Sequence, residues 1–596
     1  MKKPVSQTWD LDSIFPGGSS SSEFADFLQR CKENIAHFQK QIKELQAPMS
    51  VEDTNSLVQT IDVMQKIEAS LVESMAFVEC LTAQNTKDEK AQLLFGQVTE
   101  YFANYQAALI DLDRLFLEIP QTTWEQFLEL DSCKSIAFPL NERRQNALEK
   151  MSPEQEVLAN DLATSGYHAW SELYSKVVGR ISIPMEKNGQ IQQLSVGQAY
   201  NLFSNEDRSV RKEIYEKWLE AWEKESDFFA HTLNHLGGFR LNLYRHRGWE
   251  SVLKEPLDIN RMSEETLQTM WQVIDQNKDL LIQYLNRKAK LLHVPKLDWY
   301  DLSAPVGKDG MKISYDEAAD MIVEQFRRFS PKMADFAVKA FEERWIEAED
   351  RQGKRPGGFC TGFSVSEQSR IFMTYSDTMD NASTLAHELG HAYHSYVMND
   401  MPELAKNYAM NVAETASTFA EKIVADAAVQ QAESKEEKIA LLDNNAQSAV
   451  AFLMNIHARF LFETEFYERR KQGALSVEEL KELTLKSQKQ AYRDALGSYE
   501  PYFWASKLHF YITEVPFYNY PYTFGYLFSC GVYARALEEG TSFEDKYIAL
   551  LRDTASMTVE DLAQKHLGVD LTHPDFWQSA VDLALVDVQE FLNLTE

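Results

Sequence analysis

The chain has few cysteines and no long apolar run. Its 596 residues include 5 Cys, at positions 31, 80, 133, 360 and 530, and none forms a Cys-x-x-Cys pair. An odd number of scattered cysteines disfavours a disulfide framework and predicts reduced thiols in a cytoplasmic protein. No stretch of 18 apolar residues is present, and the N-terminus lacks the apolar core of a signal peptide. We therefore expect neither membrane insertion nor secretion.

Positive charge is also scarce. The chain carries 60 Lys and Arg against 91 Asp and Glu, which gives a formal net charge of −31. Such an excess of negative charge opposes the phosphate backbone of nucleic acids and the surface of anionic membranes. We expect no nucleic-acid partner and no membrane partner. The sequence leaves the oligomeric state open.

The chain has no long linker rich in Gly, Pro or Ser and no internal repeat, so we expect one intertwined body rather than separate modules. Long amphipathic patterns with the period of a helix predict a mainly α fold. These patterns cover residues 23–46, 51–82, 87–118, 153–177, 208–245, 263–293, 315–349, 408–433, 436–471 and 476–496.

Two short segments predict a small β contribution. Residues 179–194 contain Lys187-Asn188-Gly189 between Ile-containing runs, which indicates a hairpin, and residues 359–378 form the second segment. We expect the hairpin to separate an N-terminal helical region, residues 1–195, from a catalytic region, residues 196–596.

The pentapeptide His387-Glu388-Leu389-Gly390-His391 carries the strongest chemical signal. On a helix the two histidines lie one turn apart on one face and can share a Zn²⁺ ion, while Glu388 stands beside an open coordination position. Zinc lowers the pKa of a bound water toward about 7, and Glu388 can accept the proton as that water attacks a carbonyl. The motif thus predicts hydrolysis.

The residues around the motif favour a rigid helix. Ile371, Met373 and Tyr375 alternate as in a strand, and residues 380–384 offer candidates for the N-cap of a following helix. Within this helix an apolar stripe of Leu385, Leu389, Ala392 and Tyr396 would pack on a core.

A catalytic zinc needs a third protein ligand. Glu414 and Glu421 lie seven positions apart on one side of a second predicted helix, and either could reach the metal. His394 is a weaker candidate, because His387, His391 and His394 would span about 10.5 Å along a helix with a rise of 1.5 Å per residue. We expect His394 to support the ligands or to pack in the core.

A late aromatic segment could provide donors for the oxyanion of the reaction. Seven of the 25 Tyr lie between Tyr502 and Tyr533, together with His509. Tyr combines an apolar ring with a hydroxyl donor, which suits a cleft that holds varied side chains. A second segment, Gly357-Gly358-Phe359, is a glycine-bearing loop whose backbone other groups can approach closely.

These pieces together resemble the M3 family of zinc peptidases, and specifically its oligoendopeptidase F branch. The resemblance runs nearly from end to end of the chain. Its matching pieces are Thr8-Trp-Asp-Leu11, Gly357-Gly-Phe-Cys-Thr361, His387-Glu-Leu-Gly-His391-Ala-Tyr-His394-Ser, Val412-Ala-Glu-Thr-Ala-Ser-Thr-Phe-Ala-Glu421 and the region after His509.

The resemblance implies a function and a set of site residues. It implies that one zinc ion is bound by His387, His391 and Glu414, with Glu388 as the general base. It further implies that His509 and Tyr526 stabilise the transition state and that Tyr522 holds substrate, with Tyr518 and Tyr520 as further candidates. Gly357, Gly358 and Phe359 would bind the substrate main chain as an added strand.

The expected protein is therefore a zinc-dependent endopeptidase that hydrolyses short unfolded oligopeptides. We expect its helical body to have two lobes that enclose a deep cleft, which would exclude folded proteins. Two alternatives stay open at this point. One is a zinc exopeptidase of similar fold, which would need a fixed charge to read a chain terminus. The other is a helical scaffold that holds a metal without turnover.

Overall fold

The computed structural model describes residues 4–187, 189–307 and 312–596. Within this part α-helices predominate, which confirms the predicted mainly α fold. The helices before the first strand are α1 (Ser22–Glu44), α2 (Asn55–Gln84), α3 (Glu89–Glu118), α4 (Gln121–Leu128), α5 (Ala137–Leu148), α6 (Pro153–Ala163) and α7 (Ala169–Arg180). A π-helical turn, Thr164–His168, joins α6 to α7.

A second group of helices precedes the motif. It consists of α8 (Val196–Asn201), α9 (Arg208–Arg247), α10 (Lys254–Ile259), α11 (Glu264–Gln276), α12 (Lys278–Leu291), α13 (Tyr315–Phe329) and α14 (Pro331–Glu342). The pattern over residues 315–349 predicted one helix, but the structure has two helices and then a strand. Ser330 ends α13 and caps α14 by accepting a hydrogen bond from the Met333 N–H, and Pro331 supplies no N–H to continue α13.

The third group carries the motif and the rest of the chain. It consists of α15 (Met379–Val397), α16 (Met410–Gln431), α17 (Lys435–Val450), α18 (Ile456–Arg470), α19 (Val477–Ala491), α20 (Phe503–Ser506), α21 (Tyr520–Glu539), α22 (Glu544–Asp553), α23 (Val559–Leu567), α24 (Pro574–Ala584) and α25 (Val586–Leu594). A π-helical turn, Ala451–Asn455, joins α17 to α18. The sequence patterns predicted none of the helices after residue 496, which are α20 to α25.

The strands are β1 (Ile183–Lys187), β2 (Gln190–Leu194), β3 (Ile346–Glu347), β4 (Phe359–Phe363) and β5 (Gln368–Phe372). The predicted hairpin is confirmed, since β1 and β2 pair in antiparallel register from Ile183 opposite Leu194 to Lys187 opposite Gln190. Asn188 of the predicted turn lies outside the described residues. Gly189 has a φ of 75°, the left-handed conformation that glycine adopts without strain.

The chain divides into two compact units, each assembled from three segments. Unit 1 contains Met1–Pro153, Met311–Ala427 and Arg535–Gly568, and unit 2 contains Glu154–Gly310, Ala428–Ala534 and Val569–Glu596. We describe each unit by itself. The boundary expected between residues 195 and 196 stays a prediction.

In unit 1 a three-stranded sheet supports the motif helix. Its order is β3-β5-β4, with β3 parallel and β4 antiparallel to β5, so β4 is an edge strand. The N-terminal arm packs on this sheet, because the rings of Trp9 and Phe372 lie 5.7 Å apart and Arg370 donates to the carbonyl of Asp10 at 2.7 Å. The helix α15 packs on β4, β5, α13 and α22.

All five cysteines are free thiols, and four of them are buried. Among residues 4–187, 189–307 and 312–596, none of the helices combines the length and the apolar character that crossing a bilayer requires.

Candidate metal centre

The motif helix α15 begins one residue after Thr378. The Thr378 side chain accepts a hydrogen bond from the Asn381 N–H at 3.2 Å, so the N-cap is Thr378 rather than one of the residues 380–384 that the sequence suggested. Asp380 in the first turn adds a negative charge where the helix dipole favours one. The helix therefore starts two turns before His387 and holds the motif in its middle.

The apolar stripe of α15 is shorter than predicted. Leu385, Leu389 and Ala392 are fully buried, but Tyr396 is 39% exposed. Three buried apolar residues on one face still fix the rotation of the helix against the sheet and the neighbouring helices. Because the rotation is fixed, so is the direction in which the two motif histidines point.

Three side chains of unit 1 converge as metal ligands would. One ligand atom from each of His387, His391 and Glu414 lies within 4.8 Å of the others. The Glu414 Oε2 atom is 3.3 Å from the His387 Nε2 atom and 3.6 Å from the His391 Nε2 atom. In a tetrahedral zinc site with bonds of 2.0–2.1 Å, two ligand atoms are separated by about 3.3 Å. The observed spacing thus fits a single ion of this kind.

Glu421, the other candidate for the third ligand, has a different role in the structure. Its Oε2 atom lies 2.9 Å from the Nδ1 atom of His387, on the far side of the ring from Glu414. An Nδ1–H donated to this carboxylate leaves Nε2 with a free lone pair that faces Glu414 and His391. A carboxylate that orients a ligating histidine in this way is typical of protein metal sites.

The hydroxyl of Ser417 holds Glu414, the candidate third ligand. It donates to the Glu414 Oε2 atom at 2.7 Å, from one turn further along α16. Our reading of the sequence missed Ser417, although a hydroxyl at i+3 from an acid on one helix face is a signal that could have identified it.

The glycine of the motif allows α15 and α16 to meet. A Cβ atom at Gly390 would lie 2.4 Å from the carbonyl oxygen of Ala416 and 2.6 Å from the Cα atom of Ser417. Any side chain would force the two backbones apart, so glycine is required by this close approach and not by an unusual φ. The contact sets the position of Glu414 along the axis of α16 relative to the two histidines on α15.

Near neutral pH the group of His387, His391 and Glu414 carries one proton, on His387, because the pKa values of the three side chains lie far apart. Burial opposes protonation of His387, but its hydrogen bonds to Glu414 and Glu421 and the charges of both carboxylates raise its pKa to about 10. Burial lowers the pKa of His391 to about 4. Burial also disfavours the charged form of Glu414, yet the hydrogen bond from His387 and the charges of both histidines lower its pKa to about 2. The site therefore attracts positive charge.

Glu388 follows His387 in the chain but lies outside the group of three converging side chains. The residue is 7% exposed, and its Oε2 atom has no hydrogen-bond partner within the described residues. Burial raises the pKa of Glu388 to about 7, the charge of His387 opposes this shift, and the charges of Glu414 and Glu421 add to it. A carboxylate with a pKa near neutrality can both accept and release a proton during turnover.

The third histidine of the region, His394, packs in the core. It is fully buried, and its Nε2 atom lies 3.1 Å from the carbonyl oxygen of Leu551, to which it can donate. Its ring stacks on Tyr408 with centroids 4.2 Å apart. Burial lowers the pKa of His394 to about 3, so it stays neutral. Of the two roles we expected for it, the structure shows packing.

The glycine loop, Gly357-Gly358-Phe359, lies beside Glu388. Gly357 has a φ of 94°, which explains glycine at this position, and Gly358 is exposed. A Cβ atom at Gly358 would lie 3.6 Å from the Oε1 atom of Glu388 and 3.3 Å from the carbonyl of Phe372. Phe359 begins the edge strand β4 and stacks on Phe372 with centroids 5.3 Å apart. An edge strand that begins next to Glu388 can accept an added peptide strand.

The other predicted site residues belong to unit 2. There the rings of His509, Tyr518 and Tyr522 form a cluster with centroid distances of 5.6 Å to 6.1 Å. Tyr526 lies one turn further along α21 and stacks on Phe452 at 4.5 Å. By contrast, Tyr520 is buried and donates to the carbonyl of Pro256 at 2.8 Å, which is a structural role.

His509 is held as a neutral ring. Burial, followed by the charges of Arg459 and Lys507, lowers its pKa to about 4. The Arg459 Nη1 atom lies 3.5 Å from the His509 Nδ1 atom. Because a guanidinium can only donate, the imidazole accepts at Nδ1 and carries its proton on Nε2. A neutral imidazole with an Nε2–H can donate a hydrogen bond to an oxyanion.

A mainly α protein with two histidines and a glutamate in ligand positions, and a buried glutamate beside them, defines a metallopeptidase of the kind with the His-Glu-x-x-His motif. Comparison with known proteins identifies the family. Residues 201–583 match the family model described as Peptidase family M3, and residues 116–182 match the model described as Oligopeptidase F. The chain belongs to peptidase family M3 and is a metalloendopeptidase.

Relatives and structural neighbours of the chain include proteins named oligopeptidase or oligoendopeptidase F. The plasmid-borne oligoendopeptidase F of Lactococcus lactis subsp. cremoris is 25% identical, with 100% of this chain and 98% of the relative covered. Oligopeptidase PepF of Bacillus subtilis is 25% identical, over 95% of this chain and 84% of the relative. The crystal structure of oligoendopeptidase-F from Enterococcus faecium has the same fold, with a TM-score of 0.69, 19% identity and coverage of 96% and 98%.

Proposed function

We propose that the chain is a zinc-dependent endopeptidase that hydrolyses short unfolded oligopeptides in the cytoplasm, with one zinc ion bound by His387, His391 and Glu414. The observation that carries this proposal is the spacing of the three ligand atoms, within 4.8 Å of one another. The donor set of two imidazoles and one carboxylate is typical of catalytic zinc, which keeps a fourth position open.

The chemistry divides between the metal and the side chains. Bound zinc supplies a water molecule of lowered pKa and polarises the scissile carbonyl. Glu388 accepts the proton of the attacking water on a carboxylate oxygen and then delivers it to the leaving amine. Its burial beside Gly358, on the loop that leads into β4, supports this assignment, because a peptide added to β4 would pass close to the carboxylate.

We further propose that His509 and Tyr526 donate hydrogen bonds to the oxyanion, and that Tyr522 binds substrate with Gly357, Gly358 and Phe359. The support for His509 is its neutral ring with a proton on Nε2. Loss of one oxyanion donor typically costs about 2.7–4 kcal/mol of transition-state stabilisation. His509→Ala and Tyr526→Phe should therefore each reduce kcat by about 100- to 1,000-fold.

Replacement of Glu388 by Gln tests the assignment of the base. The amide keeps the size of the side chain but cannot accept the proton, so we expect kcat/KM to fall by about 100-fold to 10,000-fold. Metal content should stay near one equivalent per chain, because Glu388 is not a ligand. His391→Ala is the matched contrast, since it should lose both the metal and the activity. Retained activity in Glu388→Gln would reject this base.

Two substrate experiments test the rest of the proposal. Peptides blocked by N-acetyl and C-amide groups should still be cleaved at internal bonds, whereas an exopeptidase would leave them intact. A ladder of unfolded peptides compared with a stably folded protein tests the expected cleft. Efficient cleavage of the folded protein would contradict restricted access.

A further inference from the structure

A small cavity of unit 2 has a positively charged wall. The cavity has a volume of about 150 Å³, and its lining includes Tyr200, Asn455, Arg459 and Tyr492. The π-helical turn Ala451–Asn455 forms part of the same wall. Such turns interrupt regular helices and are frequent at functional sites. The cavity contains neither the proposed metal ligands nor the base.

Arg459 has only neutral partners. Its Nε atom donates to the Asn455 side-chain oxygen and its Nη1 atom donates to the Asn519 side-chain oxygen, both at 2.9 Å. The same Nη1 atom contacts the His509 ring nitrogen, and the guanidinium lies 5.4 Å from the centre of the Phe503 ring. In the part of the chain that the structure describes, Arg459 forms no ion pair within 4.0 Å. Burial lowers its pKa to about 10.

Lys507 is the second cation of this region. Its Nζ atom lies 4.8 Å from the centre of the same Phe503 ring and 5.0 Å from the centre of the Tyr200 ring. It too forms no ion pair within 4.0 Å among the described residues. Burial, followed by the charge of Arg459, lowers the pKa of Lys507 to about 7, and the charge of Glu500 opposes this shift.

Glu500 acts on Lys507 through its charge but forms no ion pair with it within 4.0 Å. Its side chain is fully buried and accepts hydrogen bonds from the Tyr502 N–H and the Ser506 hydroxyl, each at 3.1 Å. Arg459 and Lys507 are partly buried, and a cation that is partly removed from water is normally paired with an anion, because an unpaired charge costs free energy in a medium of low dielectric constant. Two neighbouring cations that share aromatic rings and have no contacting carboxylate therefore form a site for an anion.

The size of the cavity limits the anion. A cavity of about 150 Å³ holds a ligand of roughly six heavy atoms, such as benzene in an engineered cavity of that size. This is below the range of about 300–1,000 Å³ for pockets that bind drug-sized ligands or cofactors. A carboxylate with the few atoms attached to it fits, and the planar guanidinium of Arg459 matches it in shape and charge.

We propose that Arg459 and Lys507 bind a carboxylate of the peptide substrate, either the C-terminal carboxylate or that of an acidic side chain. This inference rests on the proposed function, which supplies the peptide. It adds a specificity determinant that the proposed reaction does not require. A protein of net charge −31 repels acidic peptides at long range, and Arg459 together with Lys507 would give such peptides one favourable contact.

Peptide binding to the metal-loaded Glu388→Gln protein tests the proposal without turnover. Calorimetry would compare two pairs of peptides. The first pair is one peptide as the free acid and as the C-terminal amide. The second pair is an amidated peptide that has either Glu or Gln at one internal position. We expect the loss of the recognised carboxylate to raise Kd about 10- to 100-fold, as is typical for a hydrogen bond to a charged group. A change of Kd in the first pair identifies the C-terminal carboxylate as the recognised group, and a change in the second pair identifies the acidic side chain.

The same comparison in Lys507→Met and Arg459→Met should give Kd values that no longer depend on the carboxylate. Lys489→Met is the matched control, because it removes one positive charge from an exposed residue of α19 in the same unit and should keep the full dependence. Thermal unfolding identifies any variant that fails to fold, in which case Lys507→Met decides alone. Equal Kd values for both members of both peptide pairs would overturn the proposal, as would a dependence that survives in Lys507→Met.

The two proposals fail in different ways. If Glu388→Gln abolishes cleavage but binding ignores the carboxylate, only the carboxylate site is wrong. If Glu388→Gln still cleaves peptides, the proposed base is wrong, whatever the binding data show.

Discussion

The replacement of Gly390 by Ala should disrupt the metal site without changing any ligand. The new Cβ atom would lie 2.4 Å from the carbonyl oxygen of Ala416, whereas ordinary contacts begin near 3.4 Å. The clashing atoms belong to the backbone of α16, so the two helices have to separate by roughly 1 Å. The Glu414 Oε2 atom, now 3.3 Å from the His387 Nε2 atom, would then lie at about 4.3 Å.

A separation of this size is too large for one small ion. Two ligand atoms with bonds of about 2.0–2.1 Å are at most about 4.2 Å apart, even on opposite sides of the ion. We therefore expect the metal affinity of Gly390→Ala to fall at least about 10- to 100-fold. Overpacking typically costs about 1–3 kcal/mol of unfolding free energy, and the better helix propensity of Ala returns about 1 kcal/mol.

Gly96→Ala provides the matched control. Gly96 also lies inside a helix of unit 1, in α3, but a Cβ atom there would have no neighbour within 4 Å. This variant should gain up to about 1 kcal/mol of stability and keep its metal. The assay combines thermal unfolding of the metal-free proteins with metal titration and kcat/KM. Wild-type metal affinity in Gly390→Ala would refute the argument that this contact sets the ligand geometry.

Further predictions concern the groups around the ligands. Glu421→Gln should weaken metal binding about 10- to 100-fold, because it loses the carboxylate that orients His387, whereas Asp426→Asn on the same helix should not. Ser417→Ala should weaken metal binding less, because Glu414 keeps its charge. In the metal-free protein the raised pKa keeps the proton on His387 below about pH 10. Metal binding must release this proton, so chelator competition should show Kd falling about tenfold per unit rise in pH between pH 6.5 and 10. A Kd independent of pH would contradict this protonation state.

The helical fold and the placement of His387 and His391 on one helix face could both be predicted from the sequence, because both depend on short-range patterns. The spacing of His387 and His391 places them on one helix face whatever the rest of the chain does. Amphipathic periodicity likewise located long helices such as α3 and α9 to within two residues at each end. Short elements were harder, and the break at Ser330-Pro331 was overlooked although both residues are typical of a helix start.

The choice between Glu414 and Glu421 could not be made from the residues alone. Both lie on one side of α16, and the resemblance to a family favoured Glu414. What separates their contacts with the histidines is the position of α16 along α15, which depends on the contact between Gly390 and Ala416. That contact joins residues of two different helices, and no local pattern reports it. The role of Tyr396, which is exposed, was misjudged because a periodic stripe does not show where its helix leaves the core.

Anomalous diffraction from crystals soaked with one equivalent of zinc would test the central claim most directly. The account predicts a single peak in contact with the Nε2 atoms of His387 and His391 and with the carboxylate of Glu414, while Glu421 keeps its hydrogen bond to His387. A peak bound by Glu421 in place of Glu414, or no peak among these side chains, would contradict it.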